Sequence, residues 1–295
     1  MRDDTTTTKA GARGHGADAV ALRGVAFRRD GRTILADVDL TIGRGEKWVL
    51  FGPNGIGKST LVQMMATRGH PSSGTVDVLG RRLGKVDVFS YRHLIGLSSA
   101  ELLRSLPGVE DPLDAVVTAL KAVTGRWRDT YTDAEIARAR ALMRDFGIEY
   151  LVGKSMAKLS EGERTRVMIC RSLMARSELL ILDEPMTGLD LGGREITLRA
   201  LGRIGRDDPR AVVLVTHRLE EIPTGFDHVA VMGRTRGGEA DACADGAAGL
   251  DPAPGTVVYA GGIDEGLTDE RLSAVFGLDL AVRRDGGRWS ARLRG

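Results

Sequence analysis

The sequence predicts an α/β fold: a parallel sheet covered by helices on both faces, with a block of helices inserted into it. Three observations carry this reading. Gly52 to Ser59 form a complete G-x-x-x-x-G-K-S phosphate loop, preceded by the apolar run Trp48-Val49-Leu50-Phe51 and followed by the helix-forming stretch from Lys58 to Ala66. Leu179 to Leu182 and Ala211 to Val215 are further short apolar runs between helical segments, as a sheet buried on both sides requires. Between them, residues from about 104 to 166 carry helix signals alone.

The 295 residues suffice for one large or two small domains, and 42% hydrophobic residues suffice for a sizeable core. A formal net charge of +2, with acids and bases interspersed, leaves no electrostatic footprint for nucleic acid, and Arg81-Arg82 and Arg283-Arg284 read as solvated surface. Cys170 and Cys243 make no disulfide framework, which suits a reducing compartment. No apolar run approaches the roughly 18 residues that cross a bilayer, and the N-terminus has no secretory apolar core. These features predict a cytoplasmic protein whose work at a membrane, if any, needs another chain to span it.

Residues 1–18, rich in Thr, Gly, Asp and Arg, are expected to be a disordered tail because they bury too little to offset the entropy of ordering. From Val20 to Ile42 two apolar stretches flank Asp30-Gly31-Arg32, a hairpin signal, and a further strand and turn fill Gly74 to Gly80. Pro112 to Leu120 reads as a helix with Pro in its first turn. Thr132 and Glu135 have the spacing of a capping box, opening a helix that runs to Phe146 and stops at Gly147. A Gly-, Ala-, Asp- and Pro-rich stretch over about 233–254 is expected to be a mobile insertion between two strands. Thr256 to Ala260 reads as a strand and Thr268 to Phe276 as a helix, and 277–295 as an extension forming a hairpin about Asp285-Gly286-Gly287.

The loop of Gly52, Pro53, Asn54, Gly55, Ile56, Gly57, Lys58, Ser59 and Thr60 suits a triphosphate such as ATP. Its glycines let backbone N–H groups turn inward, and the helix N-terminus adds partial positive charge. Lys58 is placed to neutralise the β- and γ-phosphates and Ser59 to coordinate Mg²⁺; the alternative is an ordinary glycine-rich turn. Asp183-Glu184 closes an apolar strand at the usual ligand edge of a parallel sheet, where Asp183 can hold Mg²⁺ and Glu184 can polarise a water; the alternative is an exposed acidic turn. His217 ends the next strand, either as a structural residue or as one that contacts the γ-phosphate and aligns the attacking water. Ser160 and Gly162 open a helix that offers a second anion site, or simply a capping box of Ser160 with Glu163.

In that order, Gly52 to Ser59, Leu159 to Glu163, Leu180 to Glu184, Leu189-Asp190 and His217 resemble the nucleotide-binding domain of ABC transporters over roughly residues 20–276. The resemblance implies a P-loop NTPase (RecA-like) core with an antiparallel β-subdomain and an inserted helical subdomain, here a domain over 19–276 with its helical part over about 104–166. It implies an ATPase that closes as a head-to-tail homodimer, each ATP lying between the phosphate loop of one copy and the Ser160–Gly162 segment of the other, with Asp190 at the interface. It further implies a transport system in which a separate integral-membrane permease is the partner and this chain lies on the inner face of the plasma membrane without inserting. A soluble ABC ATPase in regulation, or on nucleic acid or the ribosome, is the alternative.

The chain also departs from the family pattern. Glu161 and Glu163 bring negative charge to the signature segment, for which Arg164 or Arg166 could compensate. Ala100 stands where the family has a glutamine, with Glu101 beside it as a candidate substitute. The adenine-stacking aromatic aligns nearest Arg29, with Phe27 as its rival.

Overall fold

Asp30 and Gly31 both take positive φ, 51° and 78°, closing the hairpin between β1 (Asp18–Arg29) and β2 (Arg32–Gly43) as an Asp-Gly bend should. In the computed structural model, which describes residues 18–235 and 253–295, this hairpin leads into β3 (Lys47–Phe51), the phosphate loop and α1 (Lys58–Met65). There follow β4 (Ser73–Val78), β5 (Arg81–Arg82), β6 (Ile95–Ser98) and α2 (Ala100–Arg104). The helical block holds α3 (Pro112–Val117), α4 (Asp133–Asp145) and α5 (Glu161–Met174). Beyond it the alternation resumes with β7 (Leu179–Asp183), α6 (Leu191–Asp207), β8 (Ala211–Thr216) and β9 (His228–Arg234). The chain finishes with β10 (Gly255–Gly262), α7 (Ile263–Gly266), α8 (Asp269–Phe276), β11 (Leu280–Asp285) and β12 (Arg288–Leu293).

One ten-stranded sheet runs in the order β5-β4-β1-β2-β10-β9-β3-β8-β7-β6, with β11 and β12 forming a separate hairpin. Strands β9, β3, β8, β7 and β6 are parallel neighbours, whereas β5, β4, β1 and β2 pair antiparallel. The two regions meet where β10, antiparallel to β9, touches β2 in parallel register at Gly255 and Leu35. Side chains alternate strictly across the parallel part. Val49, Leu180, Leu182, Val212 and Leu214 join the core under α3, α4, α5 and α6, while Trp48, Leu50, Leu179, Ile181 and Val213 join the core under α1 and the antiparallel strands. Each fully buried aliphatic side chain contributes about 1.5–3 kcal/mol, so these strands cannot slip register without exposing one face or the other.

Local signals set the helix ends. Thr132 and Glu135 form the capping box of α4, and Gly147, at φ 65°, follows its end. The helix expected over Pro112 to Leu120 is α only to Val117 and tightens to a 3₁₀ turn over Thr118–Lys121. Arg171 of α5 is buried beneath that turn, donating to the carbonyl of Ala115, to Thr118 Oγ1 at 2.8 Å and to the carbonyl of Val123 at 2.6 Å. Burial pushes its guanidinium down to about 10, and these neutral acceptors tie the helices together in place of a carboxylate.

The expected tail over 1–18 and mobile insertion over 233–254 lie almost wholly outside the described residues, as does Cys243. Asp18, however, begins β1, and Gly233 and Arg234 belong to β9. The neck of the insertion is closed by Thr235 N–H donating to the Pro254 carbonyl at 2.9 Å. Cys170 is a free, fully buried thiol whose pKa burial raises.

Candidate nucleotide site

The phosphate loop joins the C-terminal end of β3 to the N-terminus of α1, and the sequence allows its shape through glycine. Gly57 stands at φ 105°, where an added Cβ would lie 2.5 Å from Leu35 Cδ2, so both backbone conformation and space require glycine. Gly57 is also the N-cap of α1 and supplies no side chain, leaving the first amide hydrogens of the helix available to an anion. Lys58 lies across the loop, almost fully buried, with Nζ donating to the carbonyls of Gly52 and Pro53 at 2.8 and 2.9 Å. Burial lowers its pKa, and the charges of Glu184 and Asp183 oppose that shift.

Opposite the loop, β7 ends in Asp183. Its Oδ1 is buried without a hydrogen-bond partner, and burial, reinforced by Glu184 and opposed by Lys58, pushes the carboxyl up to about 6. Glu184 takes φ 46°, a left-handed conformation that costs a non-glycine residue of the order of 1 kcal/mol or more, with its N–H bonded to the Val215 carbonyl at 3.0 Å. The Glu184 side chain meets His217, whose Nδ1 lies 3.1 Å from Glu184 Oε1. A carboxylate oxygen only accepts, so Nδ1 carries the hydrogen of this bond.

These elements surround a cavity of about 610 Å³. Asn54, Gly55, Gly57, Lys58, Ser59, Thr60, Asp183 and Glu184 line it, so eight of the predicted residues come together. Gly52, Pro53 and Ile56 stand behind the wall: Ile56 is buried in the core, and the carbonyls of Gly52 and Pro53 hold Lys58. His217 meets the site through Glu184. Among the described residues no group of three or more His, Cys, Asp or Glu side chains is placed to hold a metal by itself. The orphaned Asp183 oxygen and the Ser59 hydroxyl nonetheless fit Mg²⁺, a hard ion that takes few protein oxygens and completes its shell with water and phosphate.

Ser160, Gly162 and Asp190 do not line this cavity. Ser160 is exposed at the N-terminus of α5 and forms a capping box with Glu163, with N···O distances of 2.7 and 3.3 Å. Gly162 is buried against Gly188, where an added Cβ would lie 2.8 Å from the Gly188 carbonyl. Asp190 is exposed and caps α6, accepting from Gly193 N–H at 2.7 Å.

At three further positions the side chains lie as follows. Arg164 and Arg166 make no ion pair with Glu161 or Glu163 among the described contacts: Arg164 donates to the carbonyls of Met156 and Ala157, and Arg166 to those of Phe146 and Gly162. Glu101, the candidate for the absent glutamine, reaches α1 from the first turn of α2, accepting from Gln63 Nε2 at 2.7 Å, while Ser98, Ser99 and Ala100 line the cavity. Neither Arg29 nor Phe27 lines it. Arg29 is exposed beside Asp30 and Phe27 packs against the core, whereas Ile34 of β2 forms part of the wall.

The family described as ABC transporter matches residues 35–187. An ABC transporter ATP-binding protein of Bacillus subtilis, YlmA, is 34% identical over 88% of this chain and 92% of its own length. The hemin import ATP-binding protein HmuV of Rhodococcus jostii is 34% identical over 74% of this chain and 73% of its own length. Among solved structures, the dimeric ATP-binding cassette MJ0796 bound to ADP and Pi in a post-hydrolysis state superposes with a TM-score of 0.65 at 22% identity, covering 83% of this chain and 98% of that one. The cbiO1 protein of Clostridium perfringens, part of a transporter complex, gives 0.65 at 24% identity over 87% and 93%. With its phosphate loop and acidic strand end lining one cavity and a histidine joined to them through Glu184, the chain belongs to the ABC transporter family as an ATP-binding protein.

Proposed function

We propose that this chain is the ATP-hydrolysing subunit of a transport system, closing as a head-to-tail pair over two nucleotides and driving a separate permease. The observation that carries the reading is the division of the predicted residues into two sets. Lys58, Ser59, Asp183 and Glu184 share one cavity, whereas Ser160 and Asp190 lie exposed outside it, free to meet the nucleotide of a second copy. No helix among the described residues is long and apolar enough to cross a membrane, in keeping with a partner that does so.

The loop amides and Lys58 bind the triphosphate, releasing Lys58 Nζ from the Gly52 and Pro53 carbonyls to follow the phosphates. Ser59 and Asp183 would hold Mg²⁺, which would supply neutralisation of the phosphate charge. Glu184 accepts a proton from the attacking water, and His217 orients Glu184 through Nδ1–H while Nε2 accepts from that water or, in the imidazolium form, donates to the γ-phosphate. Loss of the γ-phosphate removes the contacts that hold the copies closed, and the helical block over about 104–166 passes the movement on.

Light scattering on Glu184→Gln tests the pairing: an ATP-dependent doubling of mass supports it, and a monomer at saturating ATP refutes it. Affinity capture of the chain from native membranes tests the partner, with an integral-membrane protein retained in the supporting case.

A further inference from the structure

The turn that follows His217 and the helix that begins at Asp190 are tied together by a single side chain from the C-terminal hairpin. Arg288, the first residue of β12, donates from Nη1 and Nη2 to the two carboxylate oxygens of Glu195 at 3.0 and 3.1 Å. Nη2 also donates to the carbonyl of Glu220 at 3.1 Å. Glu195 lies in the second turn of α6, whose N-cap is Asp190. Glu220 lies in the 3₁₀ turn Leu219–Glu221, immediately beyond His217.

That turn is itself bonded to the strand end that carries the histidine. Glu221 is buried and accepts from Thr216 Oγ1 at 2.6 Å, and Thr216 Oγ1 accepts from the Arg218 N–H at 3.1 Å, so the residues on either side of His217 are held by one network. The hairpin seats on the turn through apolar contact as well, because Trp289 is buried in the same cluster as Leu219, Ile222 and Phe226. Phosphate binding and the reacting water make no use of any of these groups.

We propose that Arg288 is a positioning residue for ATP hydrolysis, with the C-terminal hairpin setting the place of His217 over Glu184. The inference rests on the ATPase reading above. A bidentate guanidinium–carboxylate pair defines direction as well as distance, and here it is joined to a backbone carbonyl, so displacement of the fork moves the turn and not merely a surface charge. The Arg288 guanidinium also holds the Glu195 carboxyl below its usual range. Because His217 meets Glu184 by a single hydrogen bond, a small shift of the turn removes the alignment of the water while leaving the phosphate loop untouched.

The test compares wild type, Arg288→Ala, Arg288→Lys and Glu195→Gln in the full chain, by steady-state ATPase assay and thermal melting. Arg288→Ala is expected to lower kcat by about ten- to a hundredfold with KM for ATP changed by less than about twofold. Arg288→Lys and Glu195→Gln should each lose part of this, since each keeps one of the two attachments. Measured again in a His217→Ala background by single turnover, Arg288→Ala should have no further effect. Three results would overturn the proposal: unchanged kcat in Arg288→Ala, an equal loss in both backgrounds, or a fall in activity carried by KM. Should Arg288→Ala fail to fold, the Lys and Gln variants carry the same comparison, and unchanged kcat in both overturns it. Absence of ATPase activity in wild type would instead refute the underlying reading.

Discussion

His217 Nδ1 donates to Glu184 Oε1 at 3.1 Å, joining the ends of two parallel strands that the sequence separates by an entire helix. The pair forms because β7 and β8 are neighbours in register, Asp183 opposite Val215, and because Glu184 is bonded by its own N–H to the Val215 carbonyl of β8. If Glu184 is the base and His217 its orienter, the two act as a unit. Glu184→Gln should slow hydrolysis by about 10² to 10⁴, His217→Ala by a comparable factor, and the double variant little more than either alone. Single-turnover hydrolysis of labelled ATP measures all three; additive losses would show that the residues act separately.

Lys58 is held in a waiting position by the loop's own carbonyls, and among the described residues no other Lys or Arg lines the cavity. Replacing it with Ala should abolish detectable ATP binding while leaving the fold intact, because the lost bonds are to neutral carbonyls of the loop itself. A nucleotide titration by calorimetry, with circular dichroism as the control, checks this, and retained affinity would remove Lys58 from the site.

How much of this was legible beforehand depended on the range of the interaction concerned. The phosphate loop, the Asp30-Gly31 bend and the Thr132–Glu135 capping box are local devices, each complete within a few residues, and they stand where the sequence places them. The direction of a side chain at the end of an element is set by whatever packs there, and no spacing rule reveals it. Thus Glu101 turns to Gln63 on α1, Arg164 and Arg166 turn to backbone carbonyls, and Ile34 forms cavity wall where Arg29 and Phe27 were expected to matter. The Arg288 fork joins residues 93 apart in the sequence. Its one local clue, the Gly286-Gly287 bend, marks a hairpin but not what the hairpin holds.

Asp183 couples the site to pH. Its carboxyl is raised from 3.8 to about 6 in the folded chain, so between these values the folded state keeps a proton that the unfolded chain has released. The stabilisation is full below about pH 4 and is lost as pH rises through about 6, leaving a buried charge with an orphaned oxygen at pH 8. Asp183→Asn should therefore raise the stability of the nucleotide-free protein at pH 8 by about 1–3 kcal/mol, an advantage that disappears at pH 4. The same variant should lose Mg²⁺-dependent tightening of ATP binding. Thermal melts across the pH range, with and without Mg²⁺ and ATP, measure both effects, and a variant no more stable than wild type at pH 8 would contradict the assignment.

Gly255 sets a limit on how far the neighbouring insertion can be altered. It is the first residue of β10 and the point at which that strand meets β2, and a Cβ placed on it would lie 2.0 Å from the carbonyl oxygen of Ile56 in the phosphate loop. Backbone pressed on backbone cannot give way as a flexible side chain would, so Gly255→Ala must displace either β10 or the loop. The expected result is ATP affinity weakened by about tenfold or more, since a loop shifted by about 1 Å no longer aims its amides at the phosphates. Removing residues 236–252, in contrast, keeps Thr235 bonded to Pro254 and leaves Gly255 in place, so ATP hydrolysis should survive that deletion. A cut that also takes Gly233, Arg234 and Pro254 destroys the end of β9 and the neck, and activity should fall with it. Comparing the two deletions by ATPase assay separates the roles: equal activity would show that the neck does not support the loop, and loss in the shorter deletion would show that the insertion itself does.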